Sequence, residues 1–143
     1  MKKQILIIVH VEPLFVKCCS GLGRRIKEWV QDETNNIHEV INVVSGPQFE
    51  DRNPVLPEFR SFIRKEWYWG YFPTDSCVEG KQFIPVSTHH GFAEISDWMH
   101  SLAKEECEYT LVGGSESECL QDVYEIFQFL GLKCRKGPYS LIY

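Results

Sequence analysis

The chain has 143 residues, which suits one domain; divided in two, each half would have only a thin core. Apolar residues make up 43% and aromatic residues 13%, enough to bury, so intrinsic disorder is excluded for most of the chain. Fifteen Lys and Arg against twenty Asp and Glu leave a formal charge of −5, which argues against nucleic-acid binding on a basic face, and no apolar run approaches the ~20 residues of a membrane span.

Lys2 and Lys3 precede the run Ile5-Leu6-Ile7-Ile8-Val9. The run is too short for a signal peptide, and His10, Glu12 and Pro13 follow with no small-residue cleavage site. A continuous β-branched stretch instead predicts a central strand over Ile5–Val11, covered on both faces. With no export signal the expected location is the cytoplasm. The six cysteines (Cys18, Cys19, Cys77, Cys107, Cys119, Cys134) form no CxxC pair and read as free thiols.

Ile26, Trp29 and Val30 recur at helical spacing and predict a helix from about Gly23 to Glu33, ended by Asn35-Asn36. A second strand is expected over Val40–Val44, broken by Ser45-Gly46-Pro47. Phe59, Phe62 and Ile63 suggest a short helix from Glu58 to about Trp67. The aromatic stretch Trp67–Phe72 follows. Phe83–Ser87 reads as a third strand, and Ile95, Trp98, Met99 and Leu102 mark a helix over about Phe92–Lys104. Tyr109–Gly113 is a fourth strand. Val123, Ile126, Phe127 and Leu130 mark a helix over Glu118–Leu130, with Gly131 where a C-cap belongs. Leu132–Arg135 and Ser140–Tyr143 are the last strand candidates. Strands alternating with helices predict one α/β domain over residues 1–143, with a central, mostly parallel sheet flanked by helices.

In open α/β sheets the ligand crevice lies beyond the carboxyl ends of the strands. Those ends deliver His10 and Glu12, then Ser45, then Ser87, Thr88, His89 and His90, then Gly113, Gly114 and Ser115. Cys119 stands in the first turn of the next helix. A helix N-terminus lowers a thiol pKa, and nearby backbone N–H groups can bind an oxyanion. The bland reading of Cys119 is a small buried residue against the sheet.

Val112-Gly113-Gly114-Ser115-Glu116-Ser117-Glu118-Cys119-Leu120 resembles the nucleophile turn of the isochorismatase-like cysteine hydrolases, which include nicotinamidases. Ile5–Phe15, then Phe72-Pro73 with Cys77, Gly80 and Phe83–Val86, and then Phe92–Leu102 are similar to further family segments in the same order. The resemblance implies a Rossmann-like three-layer domain, an oligomer, and a cis peptide bond between Gly114 and Ser115. The family triad is Asp, Lys and Cys. Here His10 stands where the resemblance places the Asp, and Ser87 or Thr88 where it places the Lys; Cys119 alone matches. The Asp-x-His metal motif of nicotinamidases is replaced by Ser45-Gly46-Pro47-Gln48-Phe49-Glu50, so no metal is expected.

Two functions fit these residues. In one, the chain is a divergent or inactive member of this fold that binds a small molecule or a partner. In the other, it is a cysteine hydrolase of a small amide or ester. Cys119 would then be the nucleophile, His10 its base, and Glu12 or Ser87 would orient the ring. The candidate catalytic residues are Cys119, His10 and Ser87. The candidate binding residues are Glu12, Thr88, His90, Gly114, Ser115 and Trp69. Adjacent His89 and His90 point to opposite faces of a strand, so at most one faces the crevice; a solvated loop pair is the plain alternative. Gly21-x-Gly23-Arg24-Arg25 lacks the third glycine and the lysine of a phosphate loop, so no cofactor is expected. Four Trp, six Tyr and nine Phe are many for this length. The Trp67–Phe72 cluster and a C-terminal edge strand point to a homo-oligomer, or else the rings fill one aromatic core.

Overall fold

The structure is a computed structural model that describes residues 2–12, 21–45, 59, 65–70, 82–85, 106–129 and 131–143, with backbone alone at 44, 45, 65–70, 82–85, 126 and 129. Its elements are β1 (Lys3–Val9), α1 (Leu22–Gln31), β2 (Glu39–Ser45), β3 (Lys65–Gly70), β4 (Gln82–Pro85), β5 (Cys107–Gly113), α2 (Cys119–Phe129) and β6 (Cys134–Lys136). The strands form one six-stranded sheet in the order β4-β3-β2-β1-β5-β6. Every pairing is parallel. The expected α/β architecture is therefore present.

β1 is central because both of its faces are apolar. Ile5, Ile7 and Val9 pack with Ile41, Leu111 and the α2 residues Leu120, Val123 and Phe127. Leu6 and Ile8 alternate onto the other face, against Leu22 and Ile26 of α1 and against Val112 and Leu141. The result is three layers, with α1 on one face of the sheet and α2 on the other. Tyr109 and Phe127, both essentially buried, meet edge-to-face with centroids 5.0 Å apart at 83°. That geometry is worth ~1 kcal/mol beyond the area it buries.

The helix ends follow from local chemistry. Gly21, in the left-handed region, opens α1, and Asp32 stops it by accepting hydrogen bonds from the Thr34 backbone N–H at 3.0 Å and the Thr34 hydroxyl at 2.7 Å. After α2 the Gly131 N–H donates to the Gln128 carbonyl and the Leu132 N–H to the Phe127 carbonyl, both at 3.0 Å, with Gly131 at φ 71°. This pair of bonds is a Schellman motif, and it places Gly131 at the C-cap expected there.

Several expectations are corrected. The helix expected over Glu58–Trp67 lies mostly outside the described residues, and its last residues are strand instead, because Lys65–Gly70 pairs with β2 on one side and β4 on the other. Its Trp67-Tyr68-Trp69 run favours the pleated form once such partners exist. The strand expected over Phe83–Ser87 is Gln82–Pro85, and it stands at the sheet edge, with β3 and β2 between it and β1. The C-terminal strand expected over Ser140–Tyr143 is instead a 3-10 turn (Tyr139–Leu141) and one bridge between Gly113 and Ile142. The helix expected over Phe92–Lys104 lies outside the described residues. Cys107, Cys119 and Cys134 are free thiols. Among the described residues no helix is long and apolar enough to cross a membrane.

Candidate functional site

The chain lays β1 to β4 outward in one direction and then returns to the other side of β1 with β5. The strand order therefore reverses between β1 and β5, the position at which open α/β sheets form a ligand crevice. Two turns leave the sheet there. One carries His10 and Glu12 from β1; the other carries Gly114 and Ser115 from β5 and leads to Cys119 at the start of α2.

Each turn is held by its backbone. His10 adopts φ 51°, a left-handed conformation that His tolerates better than most residues, and its N–H donates to the Val43 carbonyl at 2.9 Å. Its side chain is buried, and that of Glu12 is wholly so. The Gly114 N–H donates to the Val9 carbonyl at 2.9 Å, tying the two turns together. The Ser115 carbonyl accepts from the N–H groups of Glu118 and Leu120, both at 3.1 Å. The Gly114–Ser115 peptide bond is cis, as the family resemblance implies.

Tyr143 completes the arrangement. Its hydroxyl donates to the His10 carbonyl at 2.5 Å, its N–H donates to the Gly113 carbonyl at 2.9 Å, and its carbonyl accepts from the Glu116 N–H at 2.7 Å. A Cβ on Gly114 would stand 2.7–2.8 Å from Tyr143 atoms, so glycine there makes room for the ring and the carbonyl. The sequence reading missed Tyr143. The one local signal is the apolar Leu141-Ile142-Tyr143 run after Pro138, whose pattern predicts a strand.

Cys119 is half-buried at the first residue of α2. The expectation of a lowered thiol pKa is overturned. Burial pushes the thiol up, the carboxylates of Asp122 and Glu118 add to this, and Glu12 contributes from the β1 turn. A backbone hydrogen bond opposes them and is outweighed. Desolvation and like charge thus act together on this thiol in the direction opposite to that expected of a helix N-terminus.

Of the other expected site residues, Ser87, Thr88 and His90 lie outside the described residues. Pro85, which ends β4, is at the sheet edge, so the expected neighbouring of that strand with β1 and β5 is not found. Trp69 lies on β3 opposite Ser45 and Ile84. Among the described residues no group of three or more His, Cys, Asp or Glu is placed to hold a metal ion. A cavity of about 310 Å³ lies at the opposite, amino-terminal end of the sheet, lined by Lys2, Cys107, Tyr109 and Lys133 among others, and contains none of the expected site residues. Comparison with protein-family models, with curated proteins and with solved structures found no match for the chain.

Proposed function

We propose that this chain is a divergent isochorismatase-like protein that holds a small molecule in the crevice between the carboxyl ends of β1 and β5 without hydrolysing it. The parallel three-layer architecture, the glycine turn after β5 and a cysteine opening the next helix support the family reading. The observation that carries the non-catalytic part is the setting of Cys119, half-buried, with the carboxylates of Asp122, Glu118 and Glu12 acting on it among the described residues. A thiol nucleophile needs a base or a positive neighbour to ionise. The chain also has His10 and Ser87 or Thr88 where the resemblance places an acid and a lysine.

A thermal-shift panel of small amides, carboxylic acids and aromatic amines tests this reading. A ligand at ~100 times its Kd adds about 2.7 kcal/mol, a Tm rise of roughly 5–10 °C. The expected result is such a rise with no product formed on incubation, and with the rise diminished in His10→Ala. Turnover that disappears in Cys119→Ser would overturn it.

The second reading is a cysteine hydrolase using Cys119 with His10. It is favoured by one observation: His10 is buried at the end of β1, beside the turn that leads to Cys119. It requires turnover lost in both Cys119→Ser and His10→Ala. We also propose self-association through the aromatic Trp67–Phe72 segment. Sedimentation at micromolar concentration should give a mass well above 16.7 kDa.

A further inference from the structure

Residues 137–143 continue from β6 along the side of β5 away from β1, where Ile142 bridges Gly113, and Tyr143 reaches across to the turn after β1. Gly137 donates its N–H to the Leu111 carbonyl at 2.8 Å, and Arg25 Nε of α1 donates to the Ser140 carbonyl at 3.0 Å. Leu141 is 2% exposed and packs with the α1-side core. Tyr143 then touches both turns: the His10 carbonyl through its hydroxyl, and Gly113, Gly114 and Glu116 through its backbone and ring.

We propose that the segment Pro138–Tyr143 is a releasable strap at the β1/β5 crevice, and that Tyr143 sets the crevice's shape by clamping the turn after β1 to the turn after β5. The Glu116 N–H just before α2 is the kind of donor a ligand oxygen would use, and the Tyr143 carbonyl occupies it. Release of the strap frees that donor and the His10 carbonyl together. Leu141 is the strap's one deeply buried side chain, while Pro138, Tyr139 and Ser140 are exposed, Tyr139 at 81%. With Pro138, Tyr139 and Ser140 exposed and Ile142 and Tyr143 only partly buried against the core, the segment opens at lower free energy than the sheet it borders. The proposal stands whether the bound molecule is turned over or only held.

The test is the alkylation rate of each thiol by iodoacetamide, resolved by peptide mass spectrometry, in the full chain well below its Tm. Cys119 reports the turn that Tyr143 holds. Cys107 and Cys134 begin β5 and β6 at the far end of the sheet and serve as internal controls. Tyr143→Ala removes the clamp from one side. Gly114→Ala removes it from the other, because its Cβ would stand 2.7 Å from the Tyr143 carbonyl oxygen. Each should speed Cys119 alkylation about tenfold and leave Cys107 and Cys134 within about twofold of wild type. The double variant should be no faster than the faster single one, since both release the same contact. Tyr143→Phe keeps the ring and every backbone bond and should give a smaller increase at Cys119 alone. An equal acceleration at all three thiols, fully additive effects, or an unchanged Cys119 rate in Tyr143→Ala and Tyr143→Phe would overturn the proposal.

Discussion

A Cβ on Gly113 would stand 2.1 Å from the Val9 carbonyl oxygen and 2.9 Å from the Val9 nitrogen. Val9 and Gly113 are register partners at the carboxyl ends of β1 and β5, and Gly113 has φ 100°. Only a residue without a side chain meets both demands. This close approach is what lets the Gly114 N–H reach the Val9 carbonyl and bring the two crevice turns together.

Gly113 and Gly131 make a matched pair of substitutions. Gly131 also has positive φ, at 71°, but a Cβ there meets nothing within 4 Å. Gly131→Ala should therefore cost only the backbone preference, about 1 kcal/mol. Gly113→Ala adds a backbone clash and should cost ~3 kcal/mol or more, lowering Tm by roughly 10 °C. Calorimetry of the two variants checks the ordering; equal losses would contradict the close approach at Val9.

How far the fold was legible depended on how local its causes are. β1 was readable because burial on two faces turns a strand into an unbroken apolar run, and α1 because Ile26, Trp29 and Val30 recur at helical spacing. The Gly131 cap was readable from one glycine after an apolar period. The strand at Lys65–Gly70 was obscured because Phe59, Phe62 and Ile63 carry a helical spacing up to its edge, and pairing with β2 and β4 decides the matter. Nothing local says that this strand inserts between β2 and β4 and so sends β4 to the edge. His10 and Cys119 were legible as strand-end and helix-start residues. The Tyr143 contact, 133 residues distant from His10, was not. The raised pKa of the Cys119 thiol was hidden because its first cause, burial, depends on packing rather than on neighbours in the chain.

Asn42 lies wholly buried in the middle of β2, opposite Ile8 and Glu66, and neither of its amide atoms has a hydrogen-bond partner among the described residues. An unsatisfied buried amide costs ~1–3 kcal/mol, and a similar-sized apolar side chain removes that cost. Asn42→Leu should raise the urea midpoint at unchanged m-value. A lower midpoint would mean that the amide makes a favourable contact in the native protein.

Glu108 accepts from Gln4 Nε2 at 2.9 Å and from Lys133 Nζ at 2.6 Å, with Lys2 Nζ at 3.4 Å. These partners, the Gln4 hydrogen bond first, hold its carboxyl down at about 2 against an ordinary value of 4.5. A depressed carboxyl pKa stabilises the fold above the ordinary value, and that contribution is lost as pH falls from about 4.5 toward 2. The stability gap between wild type and Glu108→Gln should narrow across that window. Carbon-detected NMR titration of Glu108 gives its pKa directly, and a value near 4.5 would contradict the network.

The most direct test of the account is the pH dependence of Cys119 alkylation in the wild-type chain, followed on its own peptide. A half-buried thiol acted on by the carboxylates of Asp122, Glu118 and Glu12 should show a midpoint above the ordinary thiol value of 9.0, and Glu12→Gln should lower it. A midpoint below 9.0, and above all one near or below neutrality, would make Cys119 an activated nucleophile and contradict the reading of this crevice as a binding site.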